Sequence, residues 1–245
     1  MERCDFVNDK LKLIQETDGL TFGTDALLLA GYISGKYKYG CEFGSGSGII
    51  SMLLLTREKV ESVVAIEVQE EYAELTRKNA EINSLDHKIT VVHTDVREYK
   101  GDVDFDIIYT NPPYMKTESG RKNAKDKKNI ARHEVCGDIY DFCQAARKRL
   151  KFGGCFAAVY RPDRLIDILD AMRKSKIEPK KITFVHADTE SEPSMALIEG
   201  RAGGRCSLKV TKPLIIYTDK SHKEYTFDMN YIMENGSFPS DYRLK

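Results

Sequence analysis

Short apolar runs alternate with longer segments of helical periodicity along most of this 245-residue chain. The runs at 62–66 and 105–109 are rich in β-branched or aromatic residues, which favours strands that are buried in the interior. The segment between them at 69–83 places Tyr72 and Leu75 near one face and its charged residues elsewhere, which predicts an amphipathic helix. Because strands that alternate with helices in this way form parallel sheets with crossover helices, the pattern predicts an α/β fold.

The same reading extends over the whole chain and predicts a single domain at 1–245, without internal repeats or low-complexity linkers. The predicted strands are 40–43, 62–66, 89–92, 105–109, 155–160, 182–186, 196–198 and 214–218. The predicted helices are 49–56, 69–83, 139–150 and 164–175, with Gly153 and Gly154 as the stop signal of the third. The polar segment 219–245 is a C-terminal appendage whose packing the sequence leaves open.

The composition excludes several classes of protein. Lys and Arg number 38 and Asp and Glu number 38, so the chain is not globally basic, although a local basic patch is still allowed. The longest apolar stretch, at 49–55, is far shorter than the roughly 20 residues of a spanning helix. No apolar leader follows Met1, so we expect a cytoplasmic protein without a membrane partner. The six cysteines lack zinc-site or redox spacing, so we expect no metal.

A glycine-rich loop follows the first strand of the predicted sheet. It consists of Gly44, Ser45, Gly46, Ser47 and Gly48. Glycines allow a sharp turn and a close approach of a ligand, and the helix that follows offers unpaired N–H groups, so the loop is typical of a nucleotide-like ligand. A dinucleotide fingerprint would need a third glycine where Ile49 stands. The carboxylate of Glu42, just before the loop, favours a cationic ligand instead. S-adenosylmethionine (SAM) carries a sulfonium and an ammonium group and no phosphate.

Two further carboxylates follow the next two strands. Glu67 ends the second strand, where a carboxylate can accept both ribose hydroxyls. Asp95 follows the third strand, where it can hold an adenine amino group while Val96 covers the ring. Either carboxylate alone would read as an ordinary solvated side chain. Because the carboxyl ends of parallel strands share one crevice, the three acidic residues together predict a cofactor site.

Asn111, Pro112, Pro113 and Tyr114 follow the fourth strand and form the candidate catalytic corner. Two successive prolines fix the backbone and remove two N–H donors, so the turn is rigid. The side-chain oxygen of Asn111 and the carbonyl oxygen of Pro112 can accept the two hydrogens of an exocyclic amine while Tyr114 stacks on the base. Two such acceptors stabilise the positive charge that develops on a weakly nucleophilic amine, which favours N-methylation. A plain strand-terminating turn is the alternative.

Periodicity stops between 115 and 133, in a stretch with a local charge of +5. Its cationic side chains are Lys116, Arg121, Lys122, Lys125, Lys127, Lys128 and Arg132. A loop of this length inside a compact domain is usually functional or disordered. We expect this basic loop to track RNA phosphates, with Arg201 and Arg205 as a second backbone contact. A solvated surface is the alternative for both clusters.

Five motifs together resemble the class I SAM-dependent methyltransferases with an Asn-Pro-Pro-Tyr motif, and among them the bacterial tRNA (valine) adenine-N6 methyltransferases. The motifs are 22–30 (Phe-Gly-Thr-Asp-Ala-Leu-Leu-Leu-Ala), 42–48, 111–114, 132–134 (Arg-His-Glu) and 198–204 (Ile-Glu-Gly-Arg-Ala-Gly-Gly). The resemblance covers nearly the whole chain. Glu42 stands where many relatives carry Asp, and the tail after Thr218 matches no assignable segment.

The resemblance implies a Rossmann-like, seven-stranded, mostly parallel sheet with a reversed last strand and helices on both faces. It implies that a hairpin and helix in 1–35 cover the cofactor site, which Thr24 and Asp25 help to close, and that 115–135 is the substrate loop. From the residues alone, Thr24 reads as a helix N-cap. The resemblance also implies SAM as cofactor and tRNA as partner, with an adenosine of the single-stranded anticodon loop as the methylated base.

Other functions stay open at the level of sequence. Glutamine methyltransferases that modify release factors share the Asn-Pro-Pro-Tyr motif, but they carry an N-terminal helical substrate domain, and only about 40 residues precede the glycine loop here. DNA adenine methyltransferases usually need a separate target-reading region. A non-catalytic SAM- and RNA-binding module is the alternative outside the enzymes, and Asn111 argues against it. The tRNA species, the modified adenosine and the oligomeric state stay open.

Overall fold

The computed structural model describes residues 2–8, 11–16, 23–112 and 137–244. Its strands are β1 (Glu2–Asn8), β2 (Leu11–Glu16), β3 (Tyr37–Phe43), β4 (Val60–Glu67), β5 (Ile89–His93), β6 (Phe105–Thr110), β7 (Leu150–Tyr160), β8 (Ile177–His186), β9 (Pro193–Ala202), β10 (Lys209–Val210) and β11 (Leu214–Ile215). Its α-helices are α1 (Thr24–Tyr32), α2 (Ile49–Thr56), α3 (Glu70–Ile82), α4 (Ile139–Arg149), α5 (Leu165–Lys174) and α6 (Phe227–Asn235). None of the helices within these ranges combines the length and the apolar character needed to cross a membrane.

One sheet forms the centre of the fold, with the strands in the order β10-β8-β9-β7-β6-β3-β4-β5 and with β11 also paired to β8. β9 runs antiparallel to both β7 and β8, whereas the neighbours from β7 to β5 are parallel. The seven long strands, β3 to β9, therefore form the predicted mostly parallel sheet with a reversed last strand, and the fold prediction is confirmed. The strand expected at 214–218 shortens to β11, which with β10 extends the edge at β8.

Helices cover both faces of the sheet because successive side chains of a strand point to opposite sides. In β6, Ile107 and Tyr109 belong to a buried cluster that includes residues of α1, α2 and α6. Ile108, between them, belongs to a second cluster with residues of α4 and α5. All three side chains are fully buried. The near-continuous apolar character of the central strands follows from this double coverage.

β1 and β2 form a separate hairpin that two asparagine side chains attach to α3. The Asn79 amide donates to the carbonyl oxygen of Ile14 (3.1 Å) and accepts from its N–H (2.7 Å). Asn83 pairs with Lys12 in the same way, at 2.7 and 2.9 Å. Residues four apart share a helix face and residues two apart share a strand edge. The two asparagine side chains therefore make the backbone hydrogen bonds that a neighbouring strand would make with β2. Asn79 also donates to the carbonyl oxygen of Ser47 (3.0 Å) and so holds the glycine loop.

Two local predictions at helix ends are wrong. α4 ends at Arg149 and β7 begins at the next residue, so Gly153 and Gly154 lie inside a strand and do not stop a helix. Gly153 adopts a φ of +77° where the register of β7 against β6 shifts, so this glycine permits a bulge. Thr24 is the first residue of α1, and Gly23 takes the cap position without a side-chain hydrogen bond.

The C-terminal segment packs onto the domain. Thr226 caps α6 through its hydroxyl oxygen, which accepts from the N–H of Met229 (3.3 Å). Met229, Phe238 and Tyr242 are buried in the same cluster as α1 and α2. The ring of Phe238 meets that of Tyr32 edge to face, with centroids 5.3 Å apart. The appendage, whose packing the sequence left open, therefore helps to close one face of the sheet.

Candidate active site

A cavity of about 220 Å³ lies at the carboxyl ends of β3, β4 and β5, beside the start of α1 and the residue that follows β6. The predicted site residues that line it are Asp25, Glu42, Gly44, Ser45, Gly46, Glu67, Asp95, Val96 and Asn111. They come from five separate parts of the chain. Parallel strands end at one edge of a sheet, and this geometry converts their separate positions in the sequence into one crevice.

The glycine loop is held in shape by the side chain of Glu67 at the end of β4. One carboxylate oxygen accepts from the N–H of Gly46 (2.9 Å) and the other from the N–H of Gln69 (3.0 Å). Each oxygen keeps a second lone pair, so the predicted contact with a ribose is chemically compatible with this role. Gly48 has a φ of +77° and caps α2, and a Cβ there would lie 2.7 Å from Thr76, so its role is in the turn and in packing.

Glu42 lies at the end of β3 and is only 1% exposed. Its carboxylate accepts from the backbone N–H of Ser51 (3.1 Å) and from the Ser51 hydroxyl, which also contacts the hydroxyl of Tyr109 (2.7 Å). Burial raises the pKa of Glu42 to about 8, although the hydrogen bonds from Ser51 oppose the shift. A nearby cation would stabilise the ionised form, which is the chemistry that the predicted cationic ligand requires.

Asp95 and Val96 follow β5 and line the cavity with an ionised carboxylate and an apolar surface. The Nε atom of Arg97 donates to both carboxylate oxygens of Asp95, at 2.9 and 3.0 Å. Burial acts to raise the pKa of Asp95, but the hydrogen bonds and charge of Arg97 outweigh it and leave this pKa below its ordinary value. Val96 is buried, as is Phe142 of α4, which also lines the cavity, and both provide apolar contacts for a flat ring.

Asn111 follows β6 and its side chain is fixed by Asp25 of α1. The Nδ2 atom of Asn111 donates to the Oδ2 atom of Asp25 over 2.7 Å, between residues 86 apart in the chain. An ionised carboxylate can only accept, so this contact assigns the amide nitrogen to the Asp25 side and directs the amide oxygen elsewhere. The other oxygen of Asp25 accepts from the N–H of Ala26 (2.9 Å), so the carboxylate is itself fixed at the start of α1.

Of the predicted cofactor- and RNA-binding residues that the structure describes, Gly48 in the turn and three others, Thr24, Arg201 and Arg205, do not line this cavity. Thr24 is exposed on α1 and does not line it. Arg201 pairs with Glu199 (3.0 Å) and lies opposite Cys155 of β7, at the end of the sheet remote from the cavity, and Arg205 follows it. Because β9 is antiparallel, its carboxyl end is at the other edge of the sheet. Arg201 and Arg205 therefore lie away from the cofactor cavity, and their contact with the RNA backbone stays a prediction.

The remaining predicted substrate-binding residues lie outside the described residues. They are Pro113 and Tyr114 of the catalytic corner and Lys116, Arg121, Lys122, Lys125, Lys127, Lys128 and Arg132 of the basic loop. Pro112 is described and lines a second cavity beside the first. The roles of the undescribed residues therefore stay predictions from the sequence.

Several residues that line the cavity were not predicted from the sequence. Ile66, Val68 and Thr94 line the cavity and adjoin the strand-end carboxylates, so the rule that ligands bind at carboxyl ends could have found them. Phe142 has no such local signal. It reaches the cavity because α4 packs on the sheet, where its ring meets that of Phe43 with centroids 6.2 Å apart.

A family model described as methyltransferase small domain matches residues 17–174, a range that includes the glycine loop and Asn111. The chain belongs to this methyltransferase family. The prediction of a SAM-dependent methyltransferase is therefore confirmed, with SAM as the methyl donor.

The methyltransferase is similar to proteins named tRNA1(Val) (adenine(37)-N6)-methyltransferase. The one from Parabacteroides distasonis is 27% identical over 180 residues, covering 72% of this chain and 75% of the relative. The one from Pedobacter heparinus is 25% identical over 181 residues, covering 73% and 76%. Among solved structures, a predicted O-methyltransferase from Agrobacterium tumefaciens superposes with a TM-score of 0.71 and 23% identity, covering 88% of this chain and 98% of that one. This structural likeness confirms the α/β fold.

The residues of the cavity fit SAM. A Cβ at Gly44 would meet no atom within 4 Å, so the glycine leaves room for a ligand against the loop. Glu67 and Asp95 would accept hydrogens from ribose and adenine, Glu42 would face a cationic group, and Val96 would cover the ring. SAM supplies a methyl group that is activated by a positively charged sulfur. The protein's part in the reaction is to hold the acceptor amine in line with that methyl group.

Proposed function

We propose that this methyltransferase methylates the exocyclic N6 amine of an adenosine in tRNA. The contact between Asn111 and Asp25 is the observation that carries the proposal, because it fixes an amide on the wall of the cofactor cavity. With its nitrogen bonded to Asp25, the amide presents its oxygen as an acceptor. The backbone carbonyl of Pro112, next in the chain, supplies the second acceptor that an amine with two hydrogens requires.

An aromatic amine is a weak nucleophile because its lone pair is delocalised into the ring. Hydrogen bonds from the amine to Asn111 Oδ1 and to the Pro112 carbonyl oxygen favour a pyramidal nitrogen, whose lone pair is localised. The same acceptors stabilise the positive charge that grows on nitrogen during attack. The carboxylate of Asp25 contributes twice, since it orients the Asn111 amide and adds negative potential behind it.

A second cavity, of about 150 Å³, offers room for the base beside Pro112. Tyr160 and Arg164 line it, and an aromatic ring and a guanidinium group are the surfaces on which nucleobases stack. Phe142 lines both this cavity and the cofactor cavity. A base in the second cavity would therefore have its amine close to Asn111 and to the donor methyl group.

The names of the two relatives favour tRNA over other amine substrates. A base in a single-stranded loop is already unpaired, so its extrusion into a pocket costs little. The basic loop at 115–133, which lies outside the described residues, is the proposed contact to the RNA backbone. Its support is a charge of +5 directly after the catalytic corner.

The test is the transfer of tritiated methyl groups from labelled SAM into bulk tRNA, DNA or protein, followed by analysis of the labelled product. We expect label in tRNA as N6-methyladenosine. Asn111→Ala should lose this activity. Its matched control is Asn230→Ala, which removes an exposed amide on α6 and should transfer methyl groups at the wild-type rate. Label in protein as methylglutamine, or in DNA instead of tRNA, would contradict the proposal.

Charge reversal at Lys125, Lys127 and Lys128 tests the RNA contact separately. We expect unchanged SAM affinity, a raised KM for tRNA, and a log–log salt slope that falls by roughly 0.7–0.9 for each phosphate that the loop no longer neutralises. The choice of adenosine should barely change, because phosphate contacts position the RNA and base contacts specify it. An unchanged KM together with an unchanged salt slope would show that this loop does not bind RNA.

A further inference from the structure

A third cavity, lined mainly by cationic side chains, lies at the other end of the sheet from the cofactor cavity. It has a volume of about 270 Å³ and lies between the end of α1, the starts of β3 and β4, and the segment that follows α6. Five cationic side chains line it, Lys36, Arg57, Lys59, Lys181 and Arg243. Glu58 also lines it, and Glu199 pairs with Lys181 over 2.9 Å. Cationic groups thus outnumber the carboxylates around this cavity.

We propose that this cavity binds a phosphate group, either as inorganic phosphate or as part of a small phosphorylated molecule, at a site separate from the methyl-transfer site. β3 runs from Tyr37, next to Lys36, to Phe43, next to the glycine loop, and a seven-residue strand spans about 20 Å. This cavity and the cofactor cavity are therefore separated by about the length of a strand. The proposal is independent of which substrate is methylated.

The five cationic side chains differ in their exposure to solvent. Lys181 and Lys59 are the most deeply buried, at 2% and 8% exposure. Arg57 is half-buried, and Lys36 and Arg243 are exposed. A buried charge is costly unless a partner compensates it. Glu199 compensates Lys181, so Lys59 and the half-buried Arg57 are the cations that a bound anion would stabilise. The exposed cations would attract such an anion from solvent.

The buried cations are only partly compensated within the protein. Lys59 donates to three backbone carbonyl oxygens at the end of α1, at 2.7–3.1 Å. These bonds use its three hydrogens, and the dipole of α1 offsets part of its charge. Arg57 has a buried Nη1 atom for which the described residues provide no hydrogen-bond acceptor. An unpaired buried donor is costly, and an anion oxygen would satisfy it.

The ionisation of Lys59 is consistent with an excess of positive charge. Burial lowers the pKa of Lys59 to about 7, and the like charges of Arg57, Arg243 and Lys181 contribute to the lowering. These cations come from separate elements and surround one space. A phosphate group carries up to two negative charges and several acceptor oxygens, whereas a carboxylate carries one charge and two oxygens. Phosphate therefore matches this set of cations better.

The test is calorimetric titration of the full-length protein with inorganic phosphate, against sodium chloride at equal ionic strength. We expect saturable binding to the wild type, a Kd at least tenfold weaker in Arg57→Gln, and a Kd two- to fivefold weaker in Lys36→Gln. Arg77→Gln is the matched control, because Arg77 lies on α3 outside the cavity and pairs with exposed Glu74; its phosphate Kd should equal that of the wild type. SAM affinity should be unchanged in all three variants, which also verifies that they fold.

Two results would overturn the proposal. One is phosphate binding in both Arg57→Gln and Lys36→Gln that stays within twofold of the wild type. The other is the absence of saturable phosphate binding to the wild type. If phosphate fails to bind but tRNA binds Arg57→Gln more weakly than Arg77→Gln, the cations serve the RNA backbone and the small-molecule site is wrong.

Discussion

The two ends of the sheet bury charges of opposite sign. At the carboxyl ends of the strands, Glu42 and Glu67 are both buried beside the glycine loop. At the amino ends, Lys59 and Lys181 are buried beside the end of α1. The chain as a whole has no net charge, so its neutrality conceals a separation along the strands. The two ends of the sheet are therefore suited to ligands of opposite charge, a cation at the carboxyl ends and an anion at the amino ends.

At both ends, a buried charged side chain forms its hydrogen bonds with backbone groups. Glu67 accepts from two backbone N–H groups, and Lys59 donates to three backbone carbonyl groups. In both cases the backbone satisfies the hydrogen bonds of the charged group but carries no full charge of its own. The net charge is therefore left to act on a ligand. Glu67 and Lys59 thus contact backbone dipoles and not counter-ions, whereas Lys181 is paired with Glu199.

Substitution of Asn111 should cause the greatest loss of activity at the carboxyl ends of the strands. Asn111→Ala should retain SAM affinity and lower kcat by about 10²-fold or more, because it removes an acceptor that acts in the transition state. Asp25→Ala should lower kcat by about tenfold, because the Asn111 amide loses its orienting partner. Single-turnover rates and calorimetry measure the two quantities separately.

The double variant decides whether the two residues act as a unit. If Asp25 acts through Asn111, the loss of Asp25 in the Asn111→Ala background should cost much less than it does alone. Additive losses would show that Asp25 acts independently. A kcat of Asn111→Ala within about threefold of the wild type would refute the proposed chemistry.

Substitution of Glu67 should reduce the affinity for SAM. Glu67→Ala should weaken SAM binding by roughly 1.5–3 kcal/mol, the scale of hydrogen bonds to a charged group. Its loss removes the predicted ribose acceptor and also frees the N–H groups of Gly46 and Gln69. Glu70→Ala, at an exposed position three residues later, is the control and should bind SAM normally. Unchanged SAM affinity in Glu67→Ala would remove this carboxylate from the site.

Burial of Glu42 should make the stability of the protein depend on pH. Folding raises the pKa of Glu42 from about 4.5 to about 8, so the folded state keeps a proton that the unfolded state releases. The associated stability is present at low pH and is lost as pH rises through about 8. Glu42→Gln cannot ionise, so its Tm relative to wild type should rise between pH 5 and pH 9, by at least about 2 °C. A difference in Tm that does not change with pH would contradict the shift.

Lys59 should give the opposite slope. Its pKa is lowered from 10.5 to about 7, so between these values the unfolded state binds the proton and the folded state does not. Burial of the charged lysine therefore destabilises the folded state below about pH 7, and this destabilisation is relieved as pH rises towards 10. In terms of protons bound, the unfolded state binds more, so stability rises with pH over that interval. Lys59→Met should accordingly lose Tm relative to the wild type from pH 7 to pH 10. The measurement needs phosphate-free buffers, because bound phosphate would stabilise the charged lysine.

The acidic end could be predicted from the sequence because its parts are local. Gly44, Glu67 and Asp95 each stand at or just after a strand, and the parallel sheet brings such positions together. The hydrogen bonds that hold these parts in place could not be predicted. The bond from Ser51 to Glu42 depends on how α2 packs, and the bond from Asn79 to Ile14 of the hairpin joins residues 65 apart.

The basic end could not be predicted because Arg57, Lys181 and Arg243 are far apart in the sequence, and each resembles an ordinary surface cation. Only the packing of the segment after α6 against the end of α1 makes them neighbours. The distance of Arg201 from the cofactor cavity has a related cause. The reversal of β9 was implied by the resemblance, but its effect is to direct the following residues to the opposite edge of the sheet.

The position of β9 has a consequence for the order of folding. β7 and β8 both precede β9 in the chain, yet they flank it in the sheet. Direct pairing of β7 with β8 would close the gap that β9 must fill and would trap the chain. Only residues 187–192 separate β8 from β9, so their hairpin has a low loop-closure cost and can form first. We expect the sheet to be completed when this hairpin docks as a unit, with β7 as an open edge until that step.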